Sequence, residues 1–279
     1  MIKSMFVLTL TLVGFIFHAN ADQRPSFDIA KDLLVFQYDS KTDADDIHSI
    51  AATGSVLKRI GYEDFNYIAV AGAYGRQPGL YIPSPELFDM VFPNNWVDAH
   101  NQRIDAINAV YSKAKQTLNA QGQVWVMEAG QSDVSAQWLS LLQDDFNPAQ
   151  LKQQVHIVQH SDWNEKMTTP MALEFVKRYA NYHRIEDGNY TNNSTAGFYE
   201  VNQQFFDEIQ ADPTHGESWT LALQIASHYN GLEGRYRNPI IAKPAGIDFS
   251  DVAELIWILE LDEIKDVDDF AIWLGLRGQ

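Results

Sequence analysis

"LLVFQYDSKTDADDIHSIAA", residues 33–52, decides how the chain is read. A mostly apolar run passes straight into an acidic loop, and the loop into an amphipathic pattern. Asp39, Asp43, Asp45 and Asp46 fall within eight positions. Carboxylates this close repel one another, so either a helix start or a bound cation must offset the cost. A helix start does part of this. An aspartate in the first turn gains roughly 0.3–1 kcal/mol from the helix dipole, and a capping aspartate about 1 kcal/mol. One or two aspartates are explained that way; four, with one at the end of a strand, are not. "DEIKDVDDFAIWLG" (262–275) is an internal contrast. Its Asp266, Asp268 and Asp269 follow no buried strand and precede a short amphipathic helix, so capping suffices there.

Outward from this stretch the same alternation repeats. "DLLVFQY" (32–38), "YIAVAGA" (67–73), "QVWVMEAG" (123–130) and "QVHIVQH" (154–160) read as buried strands. Helical patterns follow at 45–61, 98–118, 133–143 and 169–183, the first stopped by Gly61 and the last opened by Pro170. Strands apolar on both faces, separated by helices, predict an α/β fold with a mostly parallel central sheet and helices on both faces. Ligands of such sheets sit beyond the carboxyl ends of the strands. The loops 39–46, 72–79, 130–133 and 160–168 are therefore candidate site walls. The polar stretch 184–200 lacks periodicity and reads as a surface loop; it carries N-x-S/T patterns at Asn189, Asn192 and Asn193.

The chain has 279 residues, 20 Lys and Arg against 37 Asp and Glu, a net charge of −17 and no cysteine. Disulfides, thiolate metal sites and cysteine nucleophiles are excluded. Nucleic acid and anionic membranes are disfavoured as partners, since both need basic patches. Residues 1–21 read as a secretory signal: Lys3, the apolar "MFVLTLTLVGFIF", then "ANA" at 19–21. The apolar run falls short of the roughly 20 residues that span a bilayer. The expectation is a secreted or periplasmic protein, with a single α/β domain over 22–279. No P-loop, G-x-S-x-G or G-x-G-x-x-G pattern is present.

The segment D-S-K-T-D-A-D-D (39–46) resembles the opening loop of the nucleoside hydrolase superfamily, D-x-D-P-G-x-D-D. It is still more similar to an exported nucleoside-hydrolase-like branch with D-x-G-G-D-P-D-D. "VWVMEAGQSDVSAQWL" resembles the third-strand motif, with Gly130, Ser132 and Asp133 at its Gly, Thr and Asn. "VHIVQHSDWN" resembles the next strand, with Ser161 and Asp162 matching and Trp163 and Asn164 departing. "THGESWTLAL" (214–223) resembles a late acidic motif, with Glu217 as its acid and, by that resemblance, a metal ligand. The resemblance covers residues 32 to about 225.

It implies an N-glycosidic hydrolase acting on a sugar or nucleoside. A calcium ion would hold the attacking water while carboxylates stabilise an oxocarbenium-like state. Asp46 would be a calcium ligand, Asp39 a ligand or orienting residue, Asp45 a sugar-hydroxyl partner, and a carbonyl near Ala129 a further ligand. Lys41 stands where the family's general-base aspartate stands, so Asp43 would take that role. Two readings of Lys41 remain open: it points to solvent, or its ammonium sits among the carboxylates in place of a metal. The second would make the protein a metal-free sugar- or nucleoside-binding protein without turnover, or an altered enzyme. His160, at a strand end beside Asp162, is a candidate for protonating the leaving group. Tyr74 and Trp163 are candidates for stacking on a base or sugar, and Asp133 and Asp162 for polar contacts to it. The oligomeric state is not addressed by the sequence.

Overall fold

The computed structural model describes residues 24–61 and 65–278. The expected signal segment, 1–21, lies outside them. Six strands form one parallel sheet: β1 (Leu33–Tyr38), β2 (Asn66–Ala71), β3 (Trp96–Asp98), β4 (Val124–Ala129), β5 (Val155–Gln159) and β6 (Asn181–Arg184). A short antiparallel pair, β7 (Tyr199–Val201) and β8 (Gly246–Asp248), lies apart. The helices are α1 (Asp45–Ile60), α2 (Pro85–Val91), α3 (Arg103–Asn119), α4 (Asp133–Leu142), α5 (Pro148–Gln154) and α6 (Asp162–Met167). They continue with α7 (Pro170–Tyr179), α8 (Gln203–Ala211), α9 (Gly216–Tyr229), α10 (Val252–Ile258) and α11 (Val267–Leu274). No helix among the described residues is long and apolar enough to cross a membrane.

The order across the sheet is β3-β2-β1-β4-β5-β6, a Rossmann-like doubly wound arrangement. The alternation of side chains along β1 explains the layers. Leu34, Phe36 and Tyr38 point into one core, with α1, α2, α9, α10 and α11. Leu33 and Val35 point into the other, with α3, α4 and α7. Both faces of β1 are dry, which is why its sequence is nearly all apolar. Its one polar side chain, Gln37, donates to the buried Ser135 hydroxyl of α4.

Two boundaries differ from the sequence reading. The helix expected over 98–118 begins only at Arg103, because Trp96–Asp98 pairs with β2 as an edge strand. The helix expected over 169–183 ends at Tyr179, and Asn181–Arg184 joins β5 as the opposite edge. Both edge strands are short and only half buried, so neither carries the apolar run that marks the inner strands. At the C-terminus Asp266 caps α11, its carboxylate accepting from the Asp269 N–H at 2.9 Å.

The chain winds outward from β1 to β3, then returns to place β4 on the other side of β1. The loops after β1 and β4 thus leave in opposite directions. That reversal makes a crevice at the carboxyl ends of β1 and β4. Asp39 follows β1 directly, and Ala129 and Gly130 close β4.

Candidate active site

The helix start absorbs little of the acidic loop's charge: of the four aspartates only Asp45 accepts from a first-turn N–H, that of Asp46, at 3.0 Å. α1 starts after Ala44 with no side-chain cap, so Asp43 does not satisfy its free N–H groups. Asp39, Asp43, Asp45 and Asp46 instead turn into a cavity of about 520 Å³ over the crevice, joined there by Asp248 and Asp251. Asp248 ends β8, and Asp251 directly precedes α10. A second strand–acid–helix junction therefore faces the first.

The local fold explains how Asp39 is held. Its N–H donates to the Ala129 carbonyl at 3.0 Å, continuing the β1–β4 ladder by one residue. Its carboxylate accepts from the Lys41 N–H (2.7 Å) and from Gln131 Nε2 (2.7 Å). Gly130 makes this approach possible. It sits at φ 145°, and a Cβ there would lie 2.8 Å from both the Asp39 Cβ and the Ala73 carbonyl. Asp46 is 3% exposed; one oxygen accepts from the Ser40 N–H at 2.8 Å, and the other, Oδ1, has no partner. Asn238 donates to Asp248 Oδ2 at 2.6 Å and more weakly to Asp43 Oδ2 at 3.4 Å.

Oxygens of Asp43, Asp45 and Asp248 lie within 4.8 Å of one another, as do those of Asp45, Asp46 and Asp251. Asp45 belongs to both triads. Two ionised carboxylates about 4 Å apart repel by roughly 4 kcal/mol at an effective dielectric of 20. That exceeds the helix-dipole gain, so the cluster needs protons or a cation. Burial, reinforced by neighbouring carboxylates, pushes Asp39 and Asp248 up to about 7 and Asp43, Asp46 and Asp251 well above the usual carboxylate range. The donor set fits a hard divalent cation. It is all oxygen, the triad spacing matches oxygens sharing one shell 2.3–2.6 Å from calcium, and Asp46 Oδ1 is a buried acceptor left over.

Lys41 does not enter the cluster. Its ammonium lies 4.1 Å from the centre of the Tyr74 ring, a cation–aromatic contact at the cavity edge. Tyr74 is thereby used from that side, and its hydroxyl pairs with His100 Nδ1 at 2.8 Å. It does not line the cavity. Asp133 does not line it either: its carboxylate accepts from the Thr169 N–H at 3.0 Å and abuts Gly75, tying two post-strand loops together. Asp162 faces an adjoining groove and forms an ion pair with Arg184. Trp163 borders both spaces.

Glu217, expected as a metal ligand, stands apart. It is near the start of α9, which packs along α1, and its charge acts on Lys58 at the far end of α1. At 1.5 Å per residue that end is about 20 Å from Asp45. Asp251 supplies the late acid instead. His160 does line the cavity but sits between two acids: its Nε2 is 3.8 Å from Asp251, its Nδ1 is 3.6 Å from Glu254, and its backbone N–H donates to Glu254 at 2.9 Å. Burial holds its charged form down. His48, in α1, is structural; it is buried and accepts from the Asp248 N–H at 3.3 Å.

Asp248, Asp251, Asn238, Gln131 and Glu254 were not legible as site residues. A signal existed for the first two: "GIDFSD" is a short apolar step, two acids and a helix, a compressed copy of 33–46. Gln131 lies in the 130–133 loop read as a site wall but was not singled out there; Asn238 and Glu254 carry no local signal, because their roles arise only when distant segments meet.

The fold and cavity together define a doubly wound α/β protein with an acidic site at its switch point. A scan against protein-family models finds no match, and neither curated proteins nor solved structures include a match to the chain.

Proposed function

We propose that the protein is an exported hydrolase of glycosidic bonds, with N-ribosyl compounds as its substrates and a divalent cation, calcium by its oxygen donor set, at the Asp45–Asp46–Asp251 triad. The observation that carries the reading is the convergence of six aspartates from two strand–helix junctions on one cavity at the sheet's switch point. Asp45, Asp46 and Asp251 would hold the cation; the Ala129 carbonyl, expected as a further ligand, is instead the acceptor of the Asp39 N–H. A bound cation supplies a water acidified toward neutral pH.

The chain's own groups do the rest. Asp39 is fixed by Gln131 and the Lys41 N–H, contacts Asp46 and keeps its carboxyl oriented at the crevice floor. Asp43, partly exposed to the cavity, would take the proton of the attacking water once a bound cation had ionised its carboxyl. Asp248 and Asn238 form a polar pair for sugar hydroxyls. The remaining carboxylates favour the positive charge that develops on the sugar as the bond to the leaving group stretches. Lys41 feels the charge of Asp39 from the cavity edge but lies over Tyr74 and forms no ion pair with the described carboxylates, which weighs against the reading of a metal-free binder.

A panel of nucleosides and aryl ribosides, assayed with calcium and with a chelator, tests the proposal. Turnover that needs the cation and is lost in Asp43→Asn supports it. Tight retention of a sugar or nucleoside without product would replace it with the binding-protein reading.

A further inference from the structure

The cavity opens outward into a groove of about 840 Å³ that shares Trp163, Asn189, Tyr190 and Tyr199 with it. The junction is aromatic. Trp163 is 48%, Tyr190 65% and Tyr236 55% exposed. Tyr199 pairs with Asp248 across β7–β8, which puts its ring beside the acidic floor. Scattered exposed aromatics are ordinary on a protein surface. Three around one opening, with Tyr236 on the cavity wall and a floor of carboxylates below, are not scattered.

The charges point the same way. In the groove Arg184 is neutralised by Asp162, leaving Lys166 against Glu186, Asp187 and Glu200. The cavity's own lysine, Lys41, is engaged over Tyr74. Two buried oxygens at the cavity wall, Asp46 Oδ1 and Gln77 Oε1, are unpartnered acceptors. Aromatic faces and carboxylates both attract a cation, and carboxylates repel a phosphate.

We propose that the leaving-group half of this site takes a positively charged heterocycle, so that the preferred substrates are N-glycosides of the pyridinium type rather than neutral or phosphorylated nucleosides. The inference rests on reading the floor as a glycosidic-bond site. It also fits the supply of protons. A neutral base departs with the electron pair of the broken C–N bond and needs a proton to do so readily. His160, the histidine at hand, is buried in the inner cavity and does not line the outer groove that would hold the leaving group. In a glycosyl pyridinium the ring nitrogen already carries the positive charge. The C–N electron pair returns to that nitrogen and the heterocycle leaves neutral. The water oxygen bonds to the sugar carbon, and the water's proton passes to a floor carboxylate and then to solvent.

The test uses the mature chain with calcium present and has two readouts. Calorimetry compares the N-methylnicotinamide cation with neutral nicotinamide. The cation should bind about tenfold more tightly, the ratio expected of a partly desolvated cation–aromatic contact. Trp163→Ala and Tyr190→Ala, both surface changes, should each reduce that ratio severalfold. Equal binding, or tighter binding of the neutral ring, overturns the inference. Turnover then compares the N-ribosylnicotinamide cation with inosine, uridine and uridine 5′-monophosphate. Pyridinium leaves readily in water too, so the informative quantity is how far Trp163→Ala lowers kcat/KM for the cation relative to inosine. A selective loss supports the inference. An equal loss for both overturns it and leaves the hydrolase reading intact. Preferential cation binding with no hydrolysis of any substrate supports the cationic subsite and removes the hydrolase reading instead.

Discussion

Lys41 and Asp46 sit five residues apart, and the account assigns them opposite standing. Asp46 has a buried, unpartnered oxygen beside Asp45 and Asp251. Lys41 has left the cluster for the Tyr74 ring. Lys41→Ala should therefore keep calcium affinity within about threefold and cost under about 1 kcal/mol of stability, the worth of an exposed cation–aromatic contact. An ammonium standing in for a metal would behave otherwise: its removal would leave carboxylates unbalanced and raise cation affinity by orders of magnitude. A chelator-competition titration of the variant separates the two. At this scale the first loop was legible because four aspartates in eight positions exceed what a helix start can absorb. The destination of Lys41 was not, because Tyr74 reaches it only through the loop after β2. Asp133 and Tyr74 were read as substrate contacts from their strand-end positions, yet side-chain direction uses them to brace the loops.

The inner strands were plain in the sequence, since burial on both faces leaves an unbroken apolar run. The edges were not: β3 and β6 are three and four residues long and half buried. The β5–β6 edge carries a consequence of its own. His156 stacks on Trp125 with ring centres 4.0 Å apart, and its Nδ1 is 3.2 Å from His183 Nε2. Burial brings His156 down to about 3 and His183 to about 4. An unfolded histidine titrates near 6.5. The folded state thus binds fewer protons than the unfolded state below that value. The contribution of the pair is complete above about pH 6.5 and is lost as pH falls through the folded values. In urea titrations across that range His156→Gln should lose stability less steeply with acid than the wild type. Parallel acid limbs would show that the pair is not held neutral.

For the whole molecule, stability and cation binding are one equilibrium. The buried aspartates have the opposite sign from the histidines. With Asp39 and Asp248 at about 7, the metal-free fold binds more protons than the unfolded chain between about pH 4 and 7. Stability from this source is greatest at the acidic end and is lost as pH rises through 7. Above about pH 6.5 the histidines no longer oppose it. Thermal melts with a chelator should show stability falling between about pH 6.5 and 8. Calcium at a hundredfold excess over Kd should restore about 2.7 kcal/mol and flatten the slope. The same slope with and without calcium would mean that the ion and the aspartates do not interact. At this scale the sheet and its strand-end site were readable from the alternation of apolar runs and helices. The second half of the site was not, since β8 and α10 come together with β1 and α1 only in the folded chain.

The central claim is that these acids converge to grip a cation, and calorimetric titration with calcium tests it most directly. Run near pH 7 in two buffers of different ionisation heat, it reads affinity and proton release together. The account predicts saturable binding that releases protons, because carboxyls protonated in the metal-free protein must ionise. It predicts that binding is abolished in Asp46→Asn and in Asp251→Asn, and unchanged in Glu217→Gln. No binding at millimolar calcium, or binding that survives both aspartate changes, would contradict it.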